Sequence, residues 1–131
     1  MLKNLFACAA VSFLLIGHPV TAKDVDVEFV THIAASEMFD DGAQFIDVRG
    51  YDVADLGQVQ NADNLPFATD YTEESLAMLV DMDQALVFYS DHSSLDDCIQ
   101  AAKLARQWGY QKVYVMQDGF GSWVKASLPV Q

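Results

Sequence analysis

Ala85-Leu86-Val87-Phe88-Tyr89 is the stretch that decides the fold. The run is apolar with no alternation, the pattern of a strand buried on both faces. A polar loop, Ser90 to Asp97, follows it. Cys98 to Trp108 then reads as a helix, with Ile99, Ala102, Leu104 and Ala105 on its apolar side and Gly109 as its stop. Val113-Tyr114-Val115-Met116 is a second buried strand.

The same alternation extends outward. Upstream, Thr31 is placed to cap a helix over about His32 to Asp40, with Ile33, Ala34, Met38 and Phe39 apolar and Asp41-Gly42 as its end. Gln44 to Val48 is a short strand, and Asn61 to Pro66 is a turn followed by an extended piece. Thr72-Glu73-Glu74-Ser75 opens a helix whose apolar face is Leu76, Leu79 and Val80. Downstream, Asp118-Gly119 turns into a final helix around Phe120 to Lys125. Strands alternating with helices predict an α/β domain around a mostly parallel sheet.

With 131 residues the chain has room for one ordinary domain. It carries 7 Lys and Arg against 19 Asp and Glu, a formal charge of −12. That balance argues against nucleic acid and anionic membrane surfaces, which need clustered cations. A hydrophobic fraction of 52% excludes disorder as the overall state.

Residues 1–22 read as a secretory signal peptide. Lys3 supplies the positive start, Leu5 to Ile16 the apolar run, and Pro19-Val20-Thr21-Ala22 a helix breaker and cleavage pattern. A run of twelve residues, broken only by Ser12, is too short to cross about 30 Å of hydrocarbon as a helix. A lipoprotein reading of Leu5-Phe6-Ala7-Cys8 fails because Cys8 sits near the start of the apolar run, not after it. Cleavage after Ala22 leaves a 23–131 domain of 109 residues with a charge of −13, periplasmic or secreted and with no membrane attachment. Cys98 is then the sole cysteine, so an intramolecular disulfide is impossible. Its alternatives are a buried inert thiol, a bond to another molecule, or a reactive thiol.

Six motifs in order carry a family resemblance. They are Phe45-Ile46-Asp47-Val48-Arg49; Gly57-Gln58-Val59 with Asn61-Ala62-Asp63-Asn64-Leu65-Pro66; and Leu86-Val87-Phe88-Tyr89. Ala101-Ala102 with Leu104 and Gly109-Tyr110, then Val113-Tyr114-Val115, then Asp118-Gly119-Phe120 with Trp123 and Leu128-Pro129, complete the set. Over about 27–130 the chain resembles the rhodanese-like, or sulfurtransferase-fold, family. The resemblance implies a three-layer domain whose central sheet is flanked by helices. It also implies that Asp47 and Arg49 form a structural pair linking the loop to the sheet.

The departures bear on function. An active rhodanese has a Cys directly after the central strand, its thiolate held by backbone N–H groups at a helix N-terminus. Here that residue is Ser90, whose hydroxyl cannot carry a stable sulfane sulfur. Gln58 stands where the family has His, and Asp118 where it has the first Gly of a late pair. The loop Ser90-Asp91-His92-Ser93-Ser94-Leu95-Asp96-Asp97 has no Arg or Gly, carries three acids and runs about two residues long against the family pattern. Three carboxylates oppose binding of an anionic sulfur donor.

Other chemistry in the loop is weakly signalled. Cys98 near the first helical turn is an alternative nucleophile, opposed by Asp96 and Asp97. Ser90 with His92 lacks a nameable oxyanion donor or orienting partner for hydrolysis. Asp91, His92, Asp96, Asp97 and Cys98 are metal-ligand types without a recognisable ligand spacing, so no metal is expected. The plain alternative is a polar loop in which Ser93 or Ser94 caps the helix and the acids complement its dipole. Trp108, Tyr110, Phe120 and Trp123 are expected in packing. Two functions stand in contrast. One is an exported binding or regulatory module with a degenerate site, no cofactor and a cationic protein partner. The other is a sulfurtransferase or thiol-redox enzyme using Cys98.

Overall fold

Leu86 and Phe88 pack on one side of the sheet, and Val87 and Tyr89 on the other, all with no measurable exposure. This burial on both faces is what the unalternating apolar run requires. The computed structural model describes residues 26–131, so the expected signal peptide and its cleavage after Ala22 lie outside the described residues.

Five strands, β1 (Glu28–Val30), β2 (Gln44–Asp47), β3 (Asp63–Asn64), β4 (Leu86–Tyr89) and β5 (Val113–Met116), form one parallel sheet in the order β1-β5-β4-β2-β3. In register, Phe45 lies beside Val87, and Val87 beside Tyr114. Between them run α1 (His32–Asp40), α2 (Tyr51–Ala54), α3 (Glu73–Ala77), α4 (Leu95–Gln107) and α5 (Gly119–Lys125). The expected α/β architecture is therefore observed.

One face of the sheet packs against α3 and α4 through Ile46, Leu76, Leu86, Phe88 and Val115. On α4 the side against the sheet is made of Cys98, Ala101, Ala102 and Ala105, all fully buried. Such small side chains bring the helix close to the strands. The other face packs against α1 and α5, where Trp123 meets Phe45 and Phe39 at ring-centroid distances of 5.3 and 5.8 Å. Trp123 Nε1 also donates to the Pro129 carbonyl at 2.8 Å, so its polar end is satisfied.

The helix ends follow local chemistry. Thr31 Oγ1 accepts from Ala34 N at 3.3 Å and starts α1, and Gly42 with φ +92° turns the chain away after it. Thr72 and Ser75 exchange side-chain and backbone bonds in a capping box at α3. Two expectations are corrected. α4 begins at Leu95, three residues before Cys98, because Leu95 packs on the core and Asp96 and Asp97 suit a first turn. Ser94 occupies the N-cap position, but its side chain makes no capping bond, and Ser93 lies in a preceding 3₁₀ turn. Strand β1 and the helical turn α2 were not anticipated.

The close seat of α4 gives a packing prediction. Ala102→Leu should lower stability by about 1–3 kcal/mol through overpacking, read as a shift in the urea midpoint. An unchanged midpoint would mean that α4 has slack against the sheet.

Candidate functional site

Ser90 leaves the carboxyl end of β4, the edge at which parallel α/β sheets present their ligand sites. It is only 3% exposed, and its Oγ has no hydrogen-bond partner among the described residues. The loop is held from behind by the start of α5. Phe120 N donates to the Ser90 carbonyl at 3.0 Å. Gly119, at φ +78°, faces the same segment, and a Cβ there would lie 3.1 Å from His92 N and 3.2 Å from Ser90 O. Only glycine combines that backbone angle with that approach. Beyond Ser90, Ser94 N donates to the Asp91 carbonyl at 2.9 Å and closes the turn into α4.

Beside the loop, Arg49 and Asp47 form a buried bidentate pair. Arg49 Nη2 and Nε donate to Asp47 Oδ2 and Oδ1 at 2.6 and 2.9 Å. Arg49 Nη2 also donates to the Gly57 carbonyl at 2.7 Å, while Nη1 reaches Asp91 Oδ1 only at 3.5 Å. The guanidinium lies 4.4 Å from the centre of the Phe120 ring. Burial alone would lower its pKa, but the bond to Asp47 and that carboxylate's charge raise it on balance. Tyr89 OH donates to Asp47 Oδ2 at 3.0 Å and accepts from Val59 N at the same distance.

Ser90, Val48, Arg49 and Pro66 form the buried part of a cleft of about 410 Å³. That volume is in the range of small-ligand sites. Around its exposed rim stand Tyr51, Asp52, Val53, Thr69 and Asp97, with half-buried Asp91 and Ser94. Tyr51 OH donates to Asp70. The structure thus gathers Ser90, Asp91, Ser94, Asp97 and Arg49 at one site, while His92, Ser93, Asp96, Gln58 and Cys98 are not part of its lining. Tyr51, Asp52 and Val53 join the site through α2. The charged, aromatic sequence after Arg49 was the one available signal for them.

Cys98 lies in the core between α4 and the sheet. Burial, and then the charges of Asp47 and Asp97, push its thiol far above the ordinary range. No group of three or more His, Cys, Asp or Glu among the described residues is placed to share a metal ion. Asp118 is engaged elsewhere: its Oδ2 takes the backbone N of His32 at 3.1 Å and meets His32 Nδ1 at 2.5 Å. Among the described residues, no helix is long and apolar enough to cross a membrane.

A parallel sheet in this order, with a loop running from the central strand into a helix start beside a cleft, defines an α/β domain of the doubly wound kind. The profile of the Rhodanese-like domain matches residues 31–126, and the chain belongs to that family. A rhodanese-like domain of the Anabaena sp. Alr3790 protein superimposes with a TM-score of 0.66 at 15% identity, covering 82% of this chain and 80% of that one. The polysulfide-sulfur transferase of Wolinella succinogenes gives 0.66 at 20% identity, covering 80% and 78%. A rhodanese-related protein from Thermoplasma volcanium gives 0.66 at 17% identity, covering 79% and 97%. At these identities the likeness is one of fold.

Two outcomes follow from the buried groups. Asp47→Asn leaves Arg49 without its counter-charge and should cost about 3–5 kcal/mol, seen by denaturant titration. The Cys98 thiol stays neutral when folded but ionises near pH 9 when unfolded. The unfolded chain then holds fewer protons, so the contribution of this thiol to stability should be flat below that pH and fall above it by about 1.4 kcal/mol per pH unit. Tyr71 and Tyr89, also shifted upward, add to the fall above about pH 10. Cys98→Ala should remove the first part of the decline.

Proposed function

We propose that this chain is an exported rhodanese-like domain without sulfurtransferase activity that serves as a binding or regulatory module. One observation carries the reading: the residue that directly follows β4 and lines the cleft is Ser90. A hydroxyl is not ionised near neutral pH and forms no persulfide. The remaining thiol, Cys98, is buried in the core and held neutral, which opposes nucleophilic attack. Asp91 and Asp97 on the cleft disfavour an anionic sulfur donor as well. The formal charge of −12 favours a cationic protein partner, whose approach would be steered at long range and screened by salt. Export rests on Lys3, the Leu5–Ile16 run and Val20-Thr21-Ala22.

Thiosulfate:cyanide sulfurtransfer should stay at background in a steady-state assay at low salt. Ser90→Cys alone should restore little, because Asp91 and Asp97 remain. Robust wild-type turnover that vanishes in Cys98→Ser would replace this reading with a Cys98 enzyme. For export, N-terminal sequencing of protein recovered outside the cytoplasm should begin at Lys23, and an intact Met1 there would overturn the leader.

A further inference from the structure

We infer that the cleft beside Ser90 receives a cationic side chain, lysine or arginine, presented by a partner protein. This deepens the binding-module reading and rests on it.

Charge decides the sign of the occupant. Asp52, Asp91 and Asp97 line the cleft, and Asp70 adjoins it through Tyr51. Arg49 is the one cation in the lining among the described residues, and its charge is already met by buried Asp47. The N-terminus of α4 contributes about half a positive charge, the field that elsewhere attracts anions. Here Asp97 in its first turn and Asp91 just before it bring two full negative charges to the same place. The upward push that Asp97 exerts on the neighbouring Cys98 thiol registers the same negative field.

Ser90 supplies an independent pointer. It is almost wholly buried, it lines the cleft, and its Oγ has no partner among the described residues. A buried hydroxyl without a partner is costly, and an incoming N–H would satisfy its lone pair. Apart from the hydroxyls of Thr69 and Ser94, the remaining wall is largely apolar. Val48, Val53, Pro66 and the ring of Tyr51 match the methylene stem of a lysine or arginine, whose charged end then reaches the carboxylates. Free inorganic cations would leave that apolar wall unused.

The test is an NMR titration of the 23–131 chain at low salt with two probes, the peptide acetyl-Gly-Gly-Arg-Gly-Gly-amide and free spermidine, and with thiosulfate as the anion. The peptide should bind saturably, shift the amides of residues 90–94, and weaken as salt rises. Asp91→Asn with Asp97→Asn should weaken it about tenfold, and Ser90→Ala several-fold. Glu37→Gln with Asp40→Asn, an equal charge change on exposed positions of α1, should leave it within about twofold. Tighter binding of spermidine than of peptide would overturn a protein-borne occupant in favour of a soluble amine. Saturable thiosulfate binding at the same amides, or equal losses in both double variants, would overturn the inference outright. The activity reading fails separately: a persulfide on Cys98 or genuine sulfurtransfer overturns the module whatever the cations do.

Discussion

The bidentate contact between Asp47 and Arg49 is the constraint on which the carboxyl end of the sheet depends. Both residues are buried, so neither charge is tolerable without the other. Their polar atoms are then distributed over the surrounding elements. Tyr89 ties Asp47 to β4, and Asn64 Nδ2 donates to the Asp47 and Arg49 carbonyls at 2.9 Å and holds β3 in place. Gly57 and the Phe120 ring take the remaining faces of the guanidinium. The two residues of this pair, through their side chains and backbone carbonyls, therefore join β2, β3, β4, the segment after α2 and the start of α5.

That arrangement separates scaffold from chemistry. Because Arg49 is neutralised internally, it lends little positive potential to the cleft it lines. The sign of that space is left to the residues of the loop and rim. The backbone path that delivers a residue from β4 to the start of α4 is kept, while the group delivered is a hydroxyl and the nearest charges are carboxylates. A family fold can thus be retained while the charges around its loop are set independently of the scaffold.

Much of this was legible in the sequence for a definite reason. β4 and β5 are unbroken apolar runs of four or five residues bounded by polar segments, too short for a buried helix and suited to strands covered on both faces. The starts of α1 and α3 were marked by Thr31 and Thr72. β1 was not legible, because it has only three residues and two of them are exposed. α2 is a single turn with no periodicity to detect. The start of α4 was displaced because a polar loop and an acidic first turn have the same composition. At the site, Ser90 and the acids were visible, and the resemblance implied the pairing of Asp47 with Arg49. The contributions of Tyr89, Asn64, Phe120 and His32 were not, since these side chains meet their partners only through strand register and chain return.

The strand order carries a temporal consequence. β1 pairs only with β5, and the neighbouring contact between His32 and Asp118 spans 86 residues of sequence. During synthesis from the amino end, residues 28–32 emerge long before anything exists for them to bind. The sheet stays open on that side until residues 113–118 have appeared, and a pairing of such long range raises the contact order, which slows folding. The sheet is therefore kept incomplete by its own topology until nearly all of the domain has been made.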